Sequence, residues 1–203
     1  QGLDVGTAKV TPEEMQGVPH HLVGFLAPEQ AFSVADFTTL AGKTITQLTA
    51  QGKLPLVVGG TGLYITSLLN GIGFTPEKVD PAIRQELQAR LQAEGSQALY
   101  AELAAVDPGY AAKVHPNNTP RVIRALELYR ATGRKMSAER EAARPAEKPY
   151  RSLCLCLTCR DRAALYDRIG RRVDLMVKNG VLDEAKQVYD HRESCLLYTS
   201  DAA

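Results

Sequence analysis

The sequence predicts an α/β fold, with a parallel sheet covered by helices and an all-helical insertion. Strand-like and helix-like segments alternate up to residue 70, as they do in parallel sheets. No strand-like run occurs between residues 75 and 150, and an apolar strand-like run returns at residues 153–157. The 203 residues, 44% apolar and 23% charged, suit one or two globular domains.

Residues 54–58 predict a buried parallel strand, because four of the five are apolar. The glycine-rich corner after it, with Gly59, Gly60 and Thr61, leads into a helix predicted to extend to Asn70. Glycines let a ligand approach the backbone, and ligands of open α/β sheets lie at the carboxyl ends of strands. The corner predicts a phosphate or diphosphate contact at Thr61. The alternative, a turn that merely joins strand to helix, fits this segment equally well.

Two helix starts and a short strand are predicted before this corner. Thr11, which is followed by a proline, predicts an N-cap. Ser33 and Asp36 fit a capping box, and the helix that they begin is predicted to end at Gly52. Residues 19–23 predict a short strand, which completes the alternation.

Helices are predicted to dominate after the corner. Asp80, Ser96 and Pro120 each begin one, and a charged, proline-interrupted linker follows over residues 137–149. Asp161 then caps a long helix after the returning strand. The stripe of that helix expected to be buried consists of Leu165, Ile169, Val173 and Met176.

Charge is unevenly distributed, although the net charge is only +1. Residues 1–120 carry 7 Lys or Arg against 11 Asp or Glu, whereas residues 121–172 carry 14 against 6. A basic middle of this kind predicts a contact with a phosphate backbone, and the alternative is a solvated linker with charged helix faces. Trp is absent and aromatic residues make up 6%, which disfavours RNA binding by rows of stacked aromatics.

Two groups of arginines are candidate anion contacts. Arg121 and Arg124 share one helix face and can clamp a ribose-phosphate backbone; the alternative for Arg124 is a surface salt bridge with Glu127. The second group crowds one helical turn, where like charges are mildly destabilising unless an anion lies between them. It consists of Arg168, Arg171 and Arg172.

No metal site built from side chains is predicted. Cys156 and Cys159 have metal-ligand spacing but lack a second pair, and His20 and His21 point to opposite faces of the predicted strand. No Ser/His/Asp triad is recognisable. No apolar run is long enough to cross a membrane and no charged-then-apolar leader is present, so the cytoplasm is the predicted location.

Seven segments, taken together and in order, resemble tRNA dimethylallyltransferases. They read GLDVGTAK at residues 2–9, GVPHHL at 17–22, SVADF at 33–37, LVVGGTGLY at 56–64, HPN at 115–117, RVIRALE at 121–127 and RIGRRV at 168–173. Each segment alone is modestly specific, whereas the set is highly specific. The resemblance runs from residue 1 to about residue 190.

The resemblance implies an incomplete P-loop NTPase-like parallel sheet core with a tRNA-gripping helical insertion. The first part of the core is expected at residues 1–74, and the insertion and linker at residues 75–149. The returning strand and helices are expected at residues 150–193. Residues 194–203 fit no family continuation and are expected to be poorly ordered. A monomer is expected, without membrane association.

The resemblance also implies transfer of a dimethylallyl group from dimethylallyl diphosphate to N6 of the adenosine 3′ to the tRNA anticodon. The adenine must leave its stack, and donors and cations aimed at the departing diphosphate supply much of the rate. Thr61 and Arg172 are the implied catalytic contacts, with Mg²⁺ bound largely through the diphosphate. The implied substrate contacts are Thr7, Lys9, Gly59 and Gly60, and the implied tRNA contacts are Arg121 and Arg124.

The chain departs from the family pattern in three ways. The family's phosphate loop with its lysine, and the Asp of Asp-Ser-x-Gln that acts as general base, lie ahead of residue 1. This chain alone is therefore expected to be inactive. Asn118 stands where the family usually has Asp, and the family's Gly-Tyr motif and basic C-terminal helices are not found after residue 193.

Three alternative functions stay open. If the protein is a non-catalytic RNA-binding module, its affinity for tRNA should not depend on Thr61 or Arg172. An adenylate isopentenyltransferase acts on a free nucleotide, which needs neither a gripping domain nor a basic middle. A P-loop small-molecule kinase is also compatible with the Gly-Gly-Thr-Gly corner.

Overall fold

The computed structural model describes residues 2–74, 80–143, 145 and 147–192. Over these residues the chain forms α-helices and no β-strand. The helices are α1 (Val34–Ala50), α2 (Gly62–Leu69), α3 (Pro81–Glu94), α4 (Ser96–Val106), α5 (Pro108–Ala111), α6 (Thr119–Thr132), α7 (Met136–Ala142), α8 (Arg162–Lys178) and α9 (Val181–Asp190). Helices α1 to α4, α6 and α8 lie where the sequence predicts helices. The chain divides into two compact units: unit 1, residues 1–58 with 152–203, and unit 2, residues 59–151.

Unit 2 has a packed helical core. Helices α3, α4 and α6 bury apolar side chains against one another, and Leu87, Leu103 and Leu126 are fully excluded from solvent. These leucines lie on the stripes at three- and four-residue spacing expected of amphipathic helices. Burying one such side chain contributes about 2 kcal/mol to folding.

Part of the predicted linker is helical, because α7 occupies residues that the sequence assigns to the linker from residue 137 onward. The Ser137 N–H donates to Asp107 Oδ2 (2.8 Å), and the Tyr110 N–H donates to Asp107 Oδ1 (3.0 Å). Asp107 is buried, so one carboxylate joins the starts of α5 and α7. This long-range contact overrides the linker-like composition of the segment.

The predicted strands are not formed among the described residues. Residues 54–58 and 153–157 form no regular secondary structure, and most of their apolar side chains are exposed, to 92% at Leu54 and 98% at Leu157. Residues 19–23 likewise form no strand. A strand needs a neighbour for its N–H and C=O groups, and no described residue supplies one. The expectation of buried strands is therefore corrected for these segments, and the parallel sheet stays a prediction.

The long helices of unit 1 begin at local caps. Ser33 Oγ accepts the Asp36 N–H (3.2 Å) while the Asp36 carboxylate accepts the Ser33 N–H (2.8 Å), which confirms the predicted capping box. Asp161 Oδ1 accepts the Ala163 N–H (2.9 Å) at the start of α8, as predicted. Each cap satisfies backbone donors that a helix start leaves unpaired.

Two other predictions for unit 1 are wrong: a helix after Thr11, and burial of the apolar stripe of α8. Thr11 and Glu14 form a reciprocal cap, but the segment ends as turns, because Gln16 adopts a left-handed φ of +49°. Helix α8 is present, yet its apolar stripe is not buried, because the described residues form no sheet against which it would pack. The stripe residues are Leu165, Ile169, Val173 and Met176.

No described helix combines the length and the apolar character that a bilayer crossing requires. The expectation that residues 194–203 are poorly ordered lies outside the described residues.

Candidate functional site

The glycine-rich corner lies in unit 2 at the start of α2. Thr61 is the N-cap residue, and its side chain makes no capping hydrogen bond. A Cβ atom added to Gly60 would meet no described atom within 4 Å, and one added to Gly59 would meet the Ile65 side chain at 3.8 Å. Neither glycine has a positive φ. The packing of the described chain therefore does not require glycine here, whereas a ligand lying against the backbone would.

The loop of residues 2–9 lies in unit 1 and folds back on itself. Thr7 Oγ1 donates to the Leu3 carbonyl (2.5 Å), and the Lys9 N–H donates to the Asp4 carbonyl (2.9 Å). The Lys9 ammonium also lies 3.0 Å from Asp4 Oδ1. The two predicted substrate contacts of this loop, Thr7 and Lys9, are thus held in one closed turn.

A carboxylate from α9 holds this loop. Glu184 Oε2 accepts the N–H groups of Asp4 (2.5 Å) and Val5 (2.8 Å), and Glu184 Oε1 accepts the N–H of Gly6 (2.8 Å). Burial raises the pKa of the Glu184 carboxyl, but these hydrogen bonds outweigh it and place the pKa below its ordinary value. Sequence reasoning missed this residue, because 180 positions separate Asp4 from Glu184 and an acidic first turn is common to many helices.

The three arginines of α8 differ in whether they form an ion pair. Arg171 pairs with Asp167 (2.5 Å), whereas neither Arg168 nor Arg172 forms an ion pair with a described residue. Arg168 and Arg172 are four residues apart and so share one helix face. Arg172 is exposed on that face, and its role at the diphosphate stays a prediction.

The arginines of α6 differ from each other. Arg124 Nη1 lies 2.9 Å from Glu127 Oε2, so the salt bridge considered as the alternative for Arg124 is present. Arg84, from α3, reaches the same carboxylate at 3.3 Å, although local spacing gave no sign of it. Glu127 is buried, while both arginine side chains stay about half exposed. Arg121 is exposed and pairs with no described carboxylate.

The predicted site residues fall in both units. Unit 1 holds Thr7, Lys9 and Arg172, and unit 2 holds Gly59, Gly60, Thr61, Arg121 and Arg124. The described residues contain no group of three or more His, Cys, Asp or Glu side chains that could hold a metal ion. Cys156 and Cys159 are exposed free thiols.

A model of the IPP transferase family matches residues 1–200. The tRNA dimethylallyltransferase of Bacillus subtilis (strain 168) is 48% identical over 190 residues, which cover 94% of this chain and 60% of that protein. The protein of the same name from Halalkalibacterium halodurans is 46% identical, with the same two shares covered.

Two solved structures are similar to this chain. The full-length tRNA isopentenylpyrophosphate transferase of Bacillus halodurans superposes with a TM-score of 0.58 at 46% identity, covering 94% of this chain and 58% of that one. A eukaryotic dimethylallyltransferase acting on tRNA superposes with a TM-score of 0.76 at 30% identity, covering 93% and 46%.

The chain spans about 60% of the length of the curated relatives that it matches. Nearly every residue of the chain falls within the matched region. With this coverage and an identity of 48% to a curated relative, the chain belongs to the IPP transferase family.

Proposed function

We propose that this chain carries the tRNA-gripping part and a portion of the diphosphate-binding part of a tRNA dimethylallyltransferase. Such an enzyme moves a dimethylallyl group from dimethylallyl diphosphate to N6 of the adenosine 3′ to the anticodon. The observation that carries the proposal is the 48% identity to a relative of that name over 94% of the chain. The open glycine-rich corner supports it, because a bound substrate explains glycines that packing does not require. A cytoplasmic location belongs to the proposal.

In the proposed reaction the N6 lone pair attacks C1 of the dimethylallyl group and the C1–O bond breaks. The diphosphate leaves with the bonding electrons, and N6 gives its proton to a general base that the family resemblance places outside this chain. Thr61 donates its hydroxyl hydrogen to the departing diphosphate, and Arg172 neutralises the charge that develops there. Removing one such electrostatic contact lowers turnover by about 10²- to 10³-fold in well-studied enzymes.

The proposal includes Mg²⁺, which would neutralise negative charge on the diphosphate oxygens. Oxygens of a diphosphate suit the ion, which is usually held by few carboxylates and several waters. The described residues contain no group of three or more His, Cys, Asp or Glu side chains for a metal, so we propose that the substrate brings most of the ligands.

The proposed tRNA contacts are Arg121 and Arg124 on α6. Arg121 is exposed, and Arg124 keeps about half of its side chain in solvent although it pairs with Glu127. Arg84 beside it adds a second guanidinium to the same carboxylate, so two cations surround one anion. A net positive cluster of this kind attracts a phosphate backbone.

We also propose a P-loop NTPase-like sheet core with the insertion and its linker at residues 75–149. The rest of the core lies at residues 1–74 and 150–193. The similarity to two tRNA-acting enzymes supports this arrangement. So does the exposure of the apolar segments at 54–58 and 153–157, which partner strands would cover. We propose that these partners come from the part of the relatives' length that this chain does not span, and that the protein is a monomer.

The test uses a completed chain, in which this sequence is joined to the segments by which the Bacillus subtilis relative exceeds it. Arg172→Ala should lower turnover about 10²-fold or more while tRNA affinity is kept. Arg171→Ala is the matched control, because Arg171 is adjacent to Arg172 on α8 and already forms a salt bridge with Asp167. Equal losses of turnover and tRNA affinity in Arg172→Ala would instead identify a structural arginine.

The acceptor distinguishes the alternatives. The completed chain should prenylate tRNA and leave free AMP unmodified in the same radiolabel-transfer assay. Transfer to AMP would favour an adenylate isopentenyltransferase. Binding of tRNA without any transfer would favour an RNA-binding module, and phosphorylation of a small molecule would favour a kinase.

A further inference from the structure

Glu184 connects α9 to the loop of residues 2–9, which lies near the opposite end of the sequence. Both of its carboxylate oxygens accept backbone N–H groups, from three consecutive residues, Asp4, Val5 and Gly6. Hydrogen bonds to a charged acceptor are about twice as strong as neutral ones. Three of them on one side chain fix the position and the orientation of the loop backbone.

At Gly6 the loop backbone lies close to the Glu184 carboxylate. A Cβ atom at this position would lie 3.1 Å from Glu184 Oε1 and 3.6 Å from Val181 Cγ2. Gly6 does not have a positive φ, so its backbone conformation does not by itself call for glycine. An added Cβ would have to displace the Glu184 carboxylate by a few tenths of an ångström, so the close approach of the carboxylate favours glycine here.

The contact extends from the loop backbone to a cationic side chain. Asp4, whose N–H is bound to Glu184, holds the Lys9 ammonium at 3.0 Å through its own carboxylate. The Lys9 stem crosses Gly24, where an added Cβ would lie 2.7 Å from Lys9 Cε. The Asp4 carboxylate thus holds the Lys9 ammonium, and the methylene chain of Lys9 lies against Gly24. Glu184 in turn holds the backbone of Asp4.

We propose that Glu184 is a positioning residue for the diphosphate substrate. Glu184 holds Asp4 so that the Lys9 ammonium is presented to the diphosphate. The proposal rests on the proposed function, in which Lys9 is a substrate contact. The competing possibility is that the three N–H groups are themselves the anion site and that Glu184 blocks it. In that case removing the carboxylate would improve diphosphate binding rather than weaken it.

The contact itself is tested in this chain by hydrogen exchange. Glu184→Gln has the same shape, but its amide group presents one oxygen and one NH₂, and the NH₂ cannot accept an N–H. The amides of Asp4, Val5 and Gly6 should therefore exchange at least about tenfold faster in this variant. Asp183→Asn removes the same charge from the same turn of α9 and should leave these amides unchanged. Unchanged exchange in Glu184→Gln would overturn the proposal.

Its consequence is tested in the completed chain by calorimetry with inorganic diphosphate, which needs no turnover. Glu184→Gln should weaken diphosphate binding about tenfold while tRNA affinity stays the same, and Gly6→Ala should have the same effect. Asp183→Asn should bind diphosphate like the parent. Unchanged or tighter diphosphate binding in Glu184→Gln would overturn the proposal. A parent that binds diphosphate but transfers nothing to tRNA would contradict the proposed function and leave this measurement valid.

Discussion

The two units of the chain differ in what holds them together. In unit 2, leucines of α3, α4 and α6 are completely buried, and Leu87 and Leu126 have no exposed surface. Among the described residues of unit 1, Ala41 alone is buried, while Leu56 and Leu155 are more than four-fifths exposed. Both units contain long helices, so helix formation alone does not explain the difference.

The difference follows from how each element pairs its backbone. A helix satisfies its N–H and C=O groups within a few residues, and three helices close in sequence can bury their apolar faces against one another. A strand leaves every backbone group dependent on a neighbour that lies far away in the chain. The helical core of unit 2 is therefore complete within this chain, whereas the segments predicted as strands are unpaired among the described residues.

The largest expected effect tests the core of unit 2. Leu126→Ala should lower the free energy of unfolding by about 3 kcal/mol, because it removes buried methyl groups and leaves a cavity. Leu155→Ala is the control from unit 1, where the side chain is 82% exposed, and should change the free energy by less than about 0.5 kcal/mol. Urea unfolding followed by circular dichroism measures both. Equal effects of the two substitutions would remove the contrast between the units.

The second prediction concerns Asp107, the buried carboxylate that joins α5 and α7. Asp107→Asn should lower the free energy of unfolding at pH 7 by about 2 kcal/mol, because an amide replaces one of the two acceptors. Asp80→Asn, at the exposed start of α3, should change it by less than about 1 kcal/mol, because Asn caps helices as well as Asp does. A loss as large at Asp80 as at Asp107 would contradict this reading.

The pH dependence of the same residue follows from its pKa. Burial raises the pKa of the Asp107 carboxyl, but hydrogen bonds from Ser137 and Tyr110 outweigh it and keep the pKa below its ordinary 3.8. The stabilisation is therefore complete above pH 3.8 and is lost as the pH falls through the lowered value. The difference between the parent and Asp107→Asn should shrink across that acid range in urea titrations. A constant difference down to the lowest pH would show that ionisation of Asp107 plays no part.

Local signals explain which features were predictable from the sequence. The starts of α1 and α8 were predicted because the residues that cap them, Ser33 and Asp161, lie next to the helices. The salt bridge between Arg124 and Glu127 was considered for the same reason, since three positions on one helix separate the two residues. The stripes of the unit 2 helices follow from spacing alone.

Features that depend on distant residues were not predictable. The composition of residues 137–149 predicts a linker, and it does not reveal helix α7 because the hydrogen bond from Ser137 to Asp107 spans 30 positions. The loop of residues 2–9 was recognised as a candidate site, but the side chain that holds it, Glu184, belongs to the other end of the chain. The strand at residues 54–58 was predicted from composition, which does not reveal whether a partner strand is present.

The fourth prediction compares the charges that surround two arginines of unit 2. Arg130 lies 2.8 Å from both Glu86 and Glu102, whereas Arg121 pairs with no described carboxylate. Arg121→Ala should weaken tRNA binding by the completed chain and reduce the slope of log affinity against log salt by about 1. Arg130→Ala should leave that slope unchanged, because its charge is already neutralised. Filter binding at several salt concentrations measures both, and equal slopes in the two variants would remove Arg121 from the proposed tRNA contacts.

The smallest expected effect tests how much the helices of unit 1 depend on their caps. Among the described residues α1 buries Ala41 alone, so its first turn depends mainly on its cap, and Ser33→Ala should destabilise that turn by about 1 kcal/mol. The amides that follow Ser33 should then exchange about fivefold faster, since exchange reports local opening. Ser96→Ala in unit 2 is the control, because α4 is packed in the core and its N-cap, Gly95, makes no side-chain cap. Exchange in the first turn of α4 should stay unchanged. If both first turns loosened equally, or neither did, local capping would not be what distinguishes the helices of unit 1 from those of unit 2.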